Sequence, residues 1–275
     1  AGAGGKGSVD NYGTLTIENG DFRGSLQSND TNIYNRSGGV ANFKGGTYDT
    51  NPTAIFTQAN SITTISGGTY KSPWYPAIEN KGTMTITGGT FENLSCSTCD
   101  SSHWGYTIRS GNNSDSAYLK IDGENESSVQ VTGVQGGVAV IDGTADIYNG
   151  YYKTIQCPEN NAHTSTFYAL YIAGESGEVA CNVYGGTYTT EGSHSAVLVG
   201  NNNPGGDGGI RAQAIANIYG GTFSAPTGIS ALNEQTEVGD VTVYAGTFLS
   251  GDKVSDVSDY LADTCKQNDN GEVIP

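Results

Sequence analysis

All three histidines of the chain, His103, His163 and His194, fall in segments that follow a Gly-Gly turn, and Cys96, Cys99 and Cys157 occupy the first two of those segments. Imidazole and thiolate are the usual donors to zinc and related ions, so a mixed Cys/His site is chemically conceivable if the segments converge. The Cys-x-x-Cys-x-x-x-His run from 96 to 103 is by itself a weak signal. The plainer reading has exposed loop histidines and cysteines that form disulfides in an oxidising compartment. Pairing among Cys96, Cys99 and Cys157 stays open, and with five cysteines at least one thiol is left over, with Cys265 a further candidate. Cys181 is expected to act as a small buried apolar residue. Asp207 in NNNPGGDGG could ligate calcium, but no D-x-D-x-D-G run or nonapeptide repeat accompanies it. No cofactor is expected, and neither calcium nor a transition metal has a specific motif here.

Aromatic rings are the second chemical resource. Sugar-binding proteins set ring faces against the apolar faces of pyranoses and use nearby amides and carboxylates for the hydroxyls. Both tryptophans lie in post-turn segments, SPWYP at 72 to 76 and SHWGY at 102 to 106. Trp74, Tyr75, Trp104 and Tyr106 could form a strip there, extended by Tyr151 and Phe167. The competing reading is that the tryptophans seal loops onto the protein wall.

Charge narrows the partners. A net charge of −16, with no lysine or arginine cluster to offset it, repels phosphate backbones and anionic membrane surfaces. Nucleic acid is therefore not expected as a partner. No apolar run approaches the roughly 18 residues that a membrane span needs. The start, AGAGGKGSVDNYG, has no initiator Met and no signal peptide, and reads as a processed or excised fragment.

The elements that must position these residues are repeats. A strand ending in a Gly-Gly-Thr-aromatic turn recurs as FKGGTY, ISGGTY, ITGGTF, VYGGTY and IYGGTF, with weaker copies in IENGDF, IYNGYY and VYAGTF. A ninth copy, IDGENE at 121 to 126, keeps the strand and loses the aromatic. Intervals between equivalent turns run from 21 residues (Gly68 to Gly89) to 36 (Gly150 to Gly186), so the shortest is the bare unit and the others carry insertions. Two residues before each turn lies an apolar file, Ile17, Phe43, Ile65, Ile86, Ile121, Ile147, Val183, Ile218 and Val243. Two residues earlier lies its period-2 partner, Leu15, Ala41, Thr63, Met84, Leu119, Ala145, Cys181, Ala216 and Val241. A second short strand recurs upstream, as in NIYN, AIEN, TIRS, AVLVG and SALN, so each unit holds at least two strands. The eight aromatics Phe22, Tyr48, Tyr70, Phe91, Tyr152, Tyr188, Phe223 and Phe248 are expected to stack beside the turns as a structural ladder.

An isolated unit cannot bury its apolar face, so the units must stack at the spacing of paired strands. The expected fold is all-β, a single-stranded right-handed parallel β-helix of about nine coils. It would have a Gly-rich lead-in over 1–12, the helix over 13–250 and a C-terminal capping segment over 251–275. A cap is needed because an uncovered sheet edge invites association. In these GGT[FY] units, the chain resembles the right-handed β-helix, or pectate-lyase-like, superfamily, and especially repeat-containing surface proteins of Gram-positive anaerobic bacteria. The resemblance spans residues 12 to about 250.

Catalytic members of that superfamily offer motifs to test. No adjacent Asp-Asp, Gly-His-Gly or Arg-x-Lys occurs, and the four arginines, Arg23, Arg36, Arg109 and Arg211, are scattered over different units. The resemblance thus implies a secreted or cell-surface noncatalytic module that presents loops to a glycan or a cell-wall partner. Its rivals are a structural spacer or fibre subunit with end-to-end self-association, and a polysaccharide lyase or glycoside hydrolase. The loops expected to matter are 92–106, 153–167 and 189–195 after the turns, and 111–117 and 201–213 between strands.

Overall fold

The computed structural model describes residues 9–24, 31–50, 52–73, 75–94, 105–111, 117–134, 136–156, 168–175, 177–200, 212–235 and 237–275. They form an all-β protein built on long parallel sheets, and among them the one helical element is a 3-10 turn, Ser258–Tyr260. Nine short strands pair in chain order in one sheet: Val9–Asn11, Ile33–Asn35, Ile55–Thr57, Ile78–Asn80, Tyr106–Gly111, Gly136–Ile141, Leu170–Ala173, Val197–Val199 and Leu232–Glu234. Every pairing in it is parallel.

Two further runs of parallel pairing flank each Gly-Gly turn. The strand before the turn carries both files read from sequence. Ile17 pairs with Phe43, Phe43 with Ile65, Ile65 with Ile86, and so on without a slip to Val243. All nine are buried, and Cys181 is fully buried in the partner file. Because side chains alternate across a strand, burying one residue of each pair fixes the register of the whole strand. The strand after the turn is a third one per unit, and it carries the aromatic ladder.

That ladder is core. Ring centroids are 4.9 Å apart for Phe22 and Tyr48, 4.7 Å for Tyr48 and Tyr70, and 5.0 Å for Tyr70 and Phe91. Beyond a gap it resumes through Tyr152, Tyr188, Phe223 and Phe248 at 4.7 to 4.9 Å. The gap is filled by Val131, which pairs with Phe91 on one side and Tyr152 on the other. The IDGENE unit therefore keeps its ladder position, displaced along the chain by the turn around 124–128. A tyrosine in this core needs a partner for its hydroxyl. Each reaches back three residues to a carbonyl in its own turn: Tyr48 to Gly45 O at 3.1 Å, Tyr70 to Gly67 O at 2.8 Å, Tyr152 to Asn149 O at 2.9 Å and Tyr188 to Gly185 O at 3.1 Å. Burial pushes the Tyr48 phenol up to about 12 and the others higher still, so these hydroxyls stay protonated donors.

The second inward position of the nine-stranded sheet is polar in the early units, where Asn11, Asn35, Thr57, Asn80 and Ser110 lie in register. Buried amides must be paired. Asn11 Nδ2 donates to Asn35 Oδ1 at 2.8 Å, Asn35 Nδ2 to Ile62 O at 2.8 Å, and Asn80 Nδ2 to Ser110 Oγ at 2.9 Å. Later units replace these groups with Val140, Ile172 and Val199.

At the C-terminal end the pairing changes sense. Gly246–Ser250 pairs antiparallel with both Lys253–Val254 and Glu272–Ile274, and the latter pairs with Lys266–Gln267. Val257 and Val273 join the main core from this segment. One strand of the last unit, Gly246–Ser250, is thereby met by chain rather than left open.

Candidate functional site

Alternation that buries Ile33, Ile55, Ile78, Ile108, Val138, Leu170, Val197 and Leu232 sends the residues after them outward. On the nine-stranded sheet this outer file reads Asp10, Tyr34, Phe56, Glu79, Arg109, Ala139, Tyr171, Leu198 and Asn233, each in register with the next. Tyr34 and Phe56 stack at 4.5 Å, and the Arg36 guanidinium lies 3.5 Å above the Tyr34 ring while bonding Asp10. Next along the file Arg109 Nη2 meets Glu79 Oε2 at 2.9 Å, with both side chains largely buried.

Further along, the outer face carries its own apolar cluster. Tyr106, Ala139 and Ile141 are buried there, separate from the main core, with Tyr171 packed against them. Small clusters of this kind sit beneath long connections. Tyr106 and Tyr171 stack at 5.4 Å, Tyr168 lies 6.0 Å from Tyr171, and His194 meets Tyr168 edge-on at 5.3 Å. Tyr106 is the last residue of the 92–106 insertion, Tyr168 follows 153–167 and His194 lies within 189–195. Groups adjoining all three post-turn loops therefore meet on one face.

Titratable groups rim the cluster. Asp142 is fully buried with a left-handed backbone (φ 66°), and its Oδ1 accepts the backbone N–H of Glu175 at 2.8 Å and of Gly177 at 3.0 Å. Burial raises the Glu175 carboxyl, the nearby Asp142 raises it further, and Arg109 opposes both. Burial lowers the His194 imidazole, and its buried Nδ1 has no hydrogen-bond partner among the described residues. Arg109 Nε is likewise buried without one. A ligand with hydroxyl or carboxyl groups would find a desolvated acid, an arginine and an imidazole around aromatic surface.

These shifts set a pH dependence. The folded protein binds the Glu175 proton more tightly than the unfolded chain, so this group's contribution to stability is present below its ordinary value of 4.5 and is lost as pH rises through the raised folded value. Glu175→Gln, which cannot ionise, is expected to raise the urea midpoint at pH 7 relative to the parent and to leave it unchanged near pH 4. Parallel urea titrations at the two pH values check this. His194 acts in the opposite sense, withdrawing stability as pH falls below 6.5.

Of the aromatics singled out from sequence, Tyr75 is exposed at 43% and Tyr106 is buried at 7%. Asn93 ties their segments together, donating from Nδ2 to Tyr75 O at 3.1 Å and to Gly105 O at 3.2 Å. Tyr151 lies elsewhere, on the strand after the turn, between Gln130 and Thr187. Trp74, Trp104, Phe167, His103, His163, Cys96, Cys99, Cys157 and Asp207 lie outside the described residues. Cys181 and Cys265 are free thiols, so the described residues contain no disulfide. Among the described residues no three His, Cys, Asp or Glu side chains are grouped as a metal site requires, and no helix is long and apolar enough to cross a membrane.

A second outward feature escaped the reading of motifs. Tyr148, Tyr184, Tyr219 and Tyr244 each follow a buried member of the apolar file and stack in a row, with centroids 4.6, 5.1 and 4.7 Å apart. The signal was present in sequence as IYNG, VYGG, IYGG and VYAG, where the earlier units have Glu18, Lys44, Ser66, Thr87 and Asp122 at the same place. Set beside family models, curated proteins and solved structures, this all-β chain of parallel sheets finds no match.

Proposed function

We propose that the chain is a right-handed parallel β-helix of about nine coils, similar to the pectate-lyase-like superfamily and to GGT[FY]-repeat surface proteins. We propose further that it serves outside the cell as a noncatalytic glycan-binding module. Three parallel strands per unit, paired in chain order, support the helix, and connections between parallel strands of one sheet are overwhelmingly right-handed. The binding reading is carried by one observation: Tyr106, Tyr168, Tyr171 and His194, from segments adjoining three separate insertions, gather on one outer face beside Arg109 and Glu175. A scaffold that merely sets length has no need to gather rings from three separate segments on one outer face. An acidic protein that presents hydroxyl-matching groups and tyrosines favours neutral glycans over polyuronates.

A glycan array probed with the parent, with Tyr75→Ala/Tyr168→Ala and with Trp74→Ala/Trp104→Ala tests the reading. Binding of the parent to neutral glycans should fall at least tenfold in the tyrosine variant, while circular dichroism stays unchanged. Undiminished binding in both variants would reject this face. A clean array together with end-to-end oligomers in electron microscopy would support the spacer.

A further inference from the structure

The exposed tyrosine row lies on a different run of strands from the cluster above. Tyr184 and Tyr219 are 40% exposed and Tyr244 is 38% exposed. Large exposed aromatics in one contiguous row are uncommon on a soluble surface. Stacked face to face, the rings hide their faces from a ligand and offer their edges and a line of phenol oxygens. Among the described residues none of the four hydroxyls is engaged in a hydrogen bond, in contrast to the ladder tyrosines Tyr48, Tyr70, Tyr152 and Tyr188, each of which donates one.

Beside the row runs a rail of polar side chains. Lys120, Asp146, Asn182 and Asn217 lie in register on the outward face of the strands that lead into the tyrosines. Asn217 Nδ2 donates to Asn182 Oδ1 at 3.1 Å, Asn182 Nδ2 to Asp146 Oδ1 at 2.9 Å, and the Tyr118 hydroxyl to Asp146 Oδ2 at 2.8 Å. Lys120 pairs with Asp122 at 2.7 Å and sits over the Tyr148 ring. The rail is thus pre-arranged, and its one cation is already neutralised. It has nothing to attract an anionic polymer.

We propose that this row is a second binding site, taking an extended, neutral, linear polysaccharide along the stacking direction. Two features select that ligand. The interval between ring centroids, 4.6 to 5.1 Å, is set by strand spacing and is close to the length of one pyranose in an extended chain, so each successive sugar meets another ring of the row. The offered groups, hydroxyls that both donate and accept and side-chain amides, match sugar hydroxyls rather than carboxylates or phosphates. Repetition makes binding grow with chain length, because every added sugar engages another unit already held in place.

Affinity electrophoresis of the whole chain in gels cast with linear β-glucan, xylan, mannan or polygalacturonate tests this. Tyr184→Phe/Tyr219→Phe keeps the stack and removes two hydroxyls; Tyr75→Ala/Tyr168→Ala leaves the row intact. The expected result is retardation by at least one neutral polymer and none by polygalacturonate. Retardation should weaken at least tenfold in the phenylalanine variant and persist in the Tyr75/Tyr168 variant, and competing oligomers should gain potency up to about four sugars. Loss in the Tyr75/Tyr168 variant alone would place all glycan binding on the other face and overturn this site. Equal retardation of parent and phenylalanine variant would overturn it too. So would the absence of retardation by any neutral polymer, including a case where the parent is a dimer in ultracentrifugation and the phenylalanine variant a monomer, which would make the row an interface between copies.

Discussion

Tyr188→Ala is expected to destabilise the protein by about 3–5 kcal/mol, the range for removing a large aromatic from a packed interior. Tyr188 has no exposed surface and stacks between Tyr152 at 4.7 Å and Phe223 at 4.9 Å. Truncation would open a void that neither neighbour can fill, because each is held in its own turn by the strand pairing above and below. It would also leave Gly185 O without its donor. Tyr188→Phe isolates the second effect and should cost about 1 kcal/mol, the net worth of one hydrogen bond. Urea unfolding followed by far-ultraviolet circular dichroism measures both, and a loss below about 1 kcal/mol for the alanine variant would show that the ladder is not a packed core element. In a stacked architecture each unit depends on its neighbours, so the damage should spread to the adjacent units rather than stay local.

Gly186→Val is expected to cost about as much, by a different route. Gly186 has φ of 96°, where a β-branched residue is strained, and a Cβ there would sit 3.1 Å from Gly150 O and 3.2 Å from Tyr152 Cε2. The obstruction includes the backbone of the preceding unit, so relief requires the units to move apart. Gly228 provides the control. Its φ is also positive, 86°, but nothing lies within 4 Å of an added Cβ, and Gly228→Ala should cost only about 1 kcal/mol of backbone strain. A Gly186→Val protein that melts with the parent in a thermal scan would contradict the tight turn stacking described above.

How far the architecture was legible depended on distance along the chain. Ile17 to Val243 and their period-2 partners sit at a constant offset from a Gly-Gly landmark, and local alternation alone dictates which of them turn inward. The aromatic ladder was legible for the same reason wherever the turn has its usual length. It was obscured at Val131, because the turn around 124–128 lengthens the path and an aliphatic residue takes the place of a ring. The exposed tyrosine row was overlooked because Tyr148, Tyr184, Tyr219 and Tyr244 are one residue from the inward file and appear as ordinary strand residues until the units are stacked.

The candidate site was legible only in outline. The three post-turn loops could be picked out by length, and groups adjoining them do meet. The burial of Tyr106 could not be read, because its covering ring, Tyr171, belongs to a unit two strands away in the sheet. Nor could the role of Asp142, whose carboxylate holds the backbone of Glu175 and thereby brings a desolvated acid to the rim. Such contacts arise from register between distant repeats and leave no local periodicity.

Hydrogen–deuterium exchange of the parent protein, with and without a neutral glycan that it binds, shows whether the glycan sits on the face that carries Tyr106, Tyr168, Tyr171 and His194. Added protection is expected in peptides covering 105–111, 168–175 and 191–199, with the strands on either side of the Gly-Gly turns unchanged. Protection confined to other surfaces, with those three segments exchanging at the free-protein rate, would contradict it.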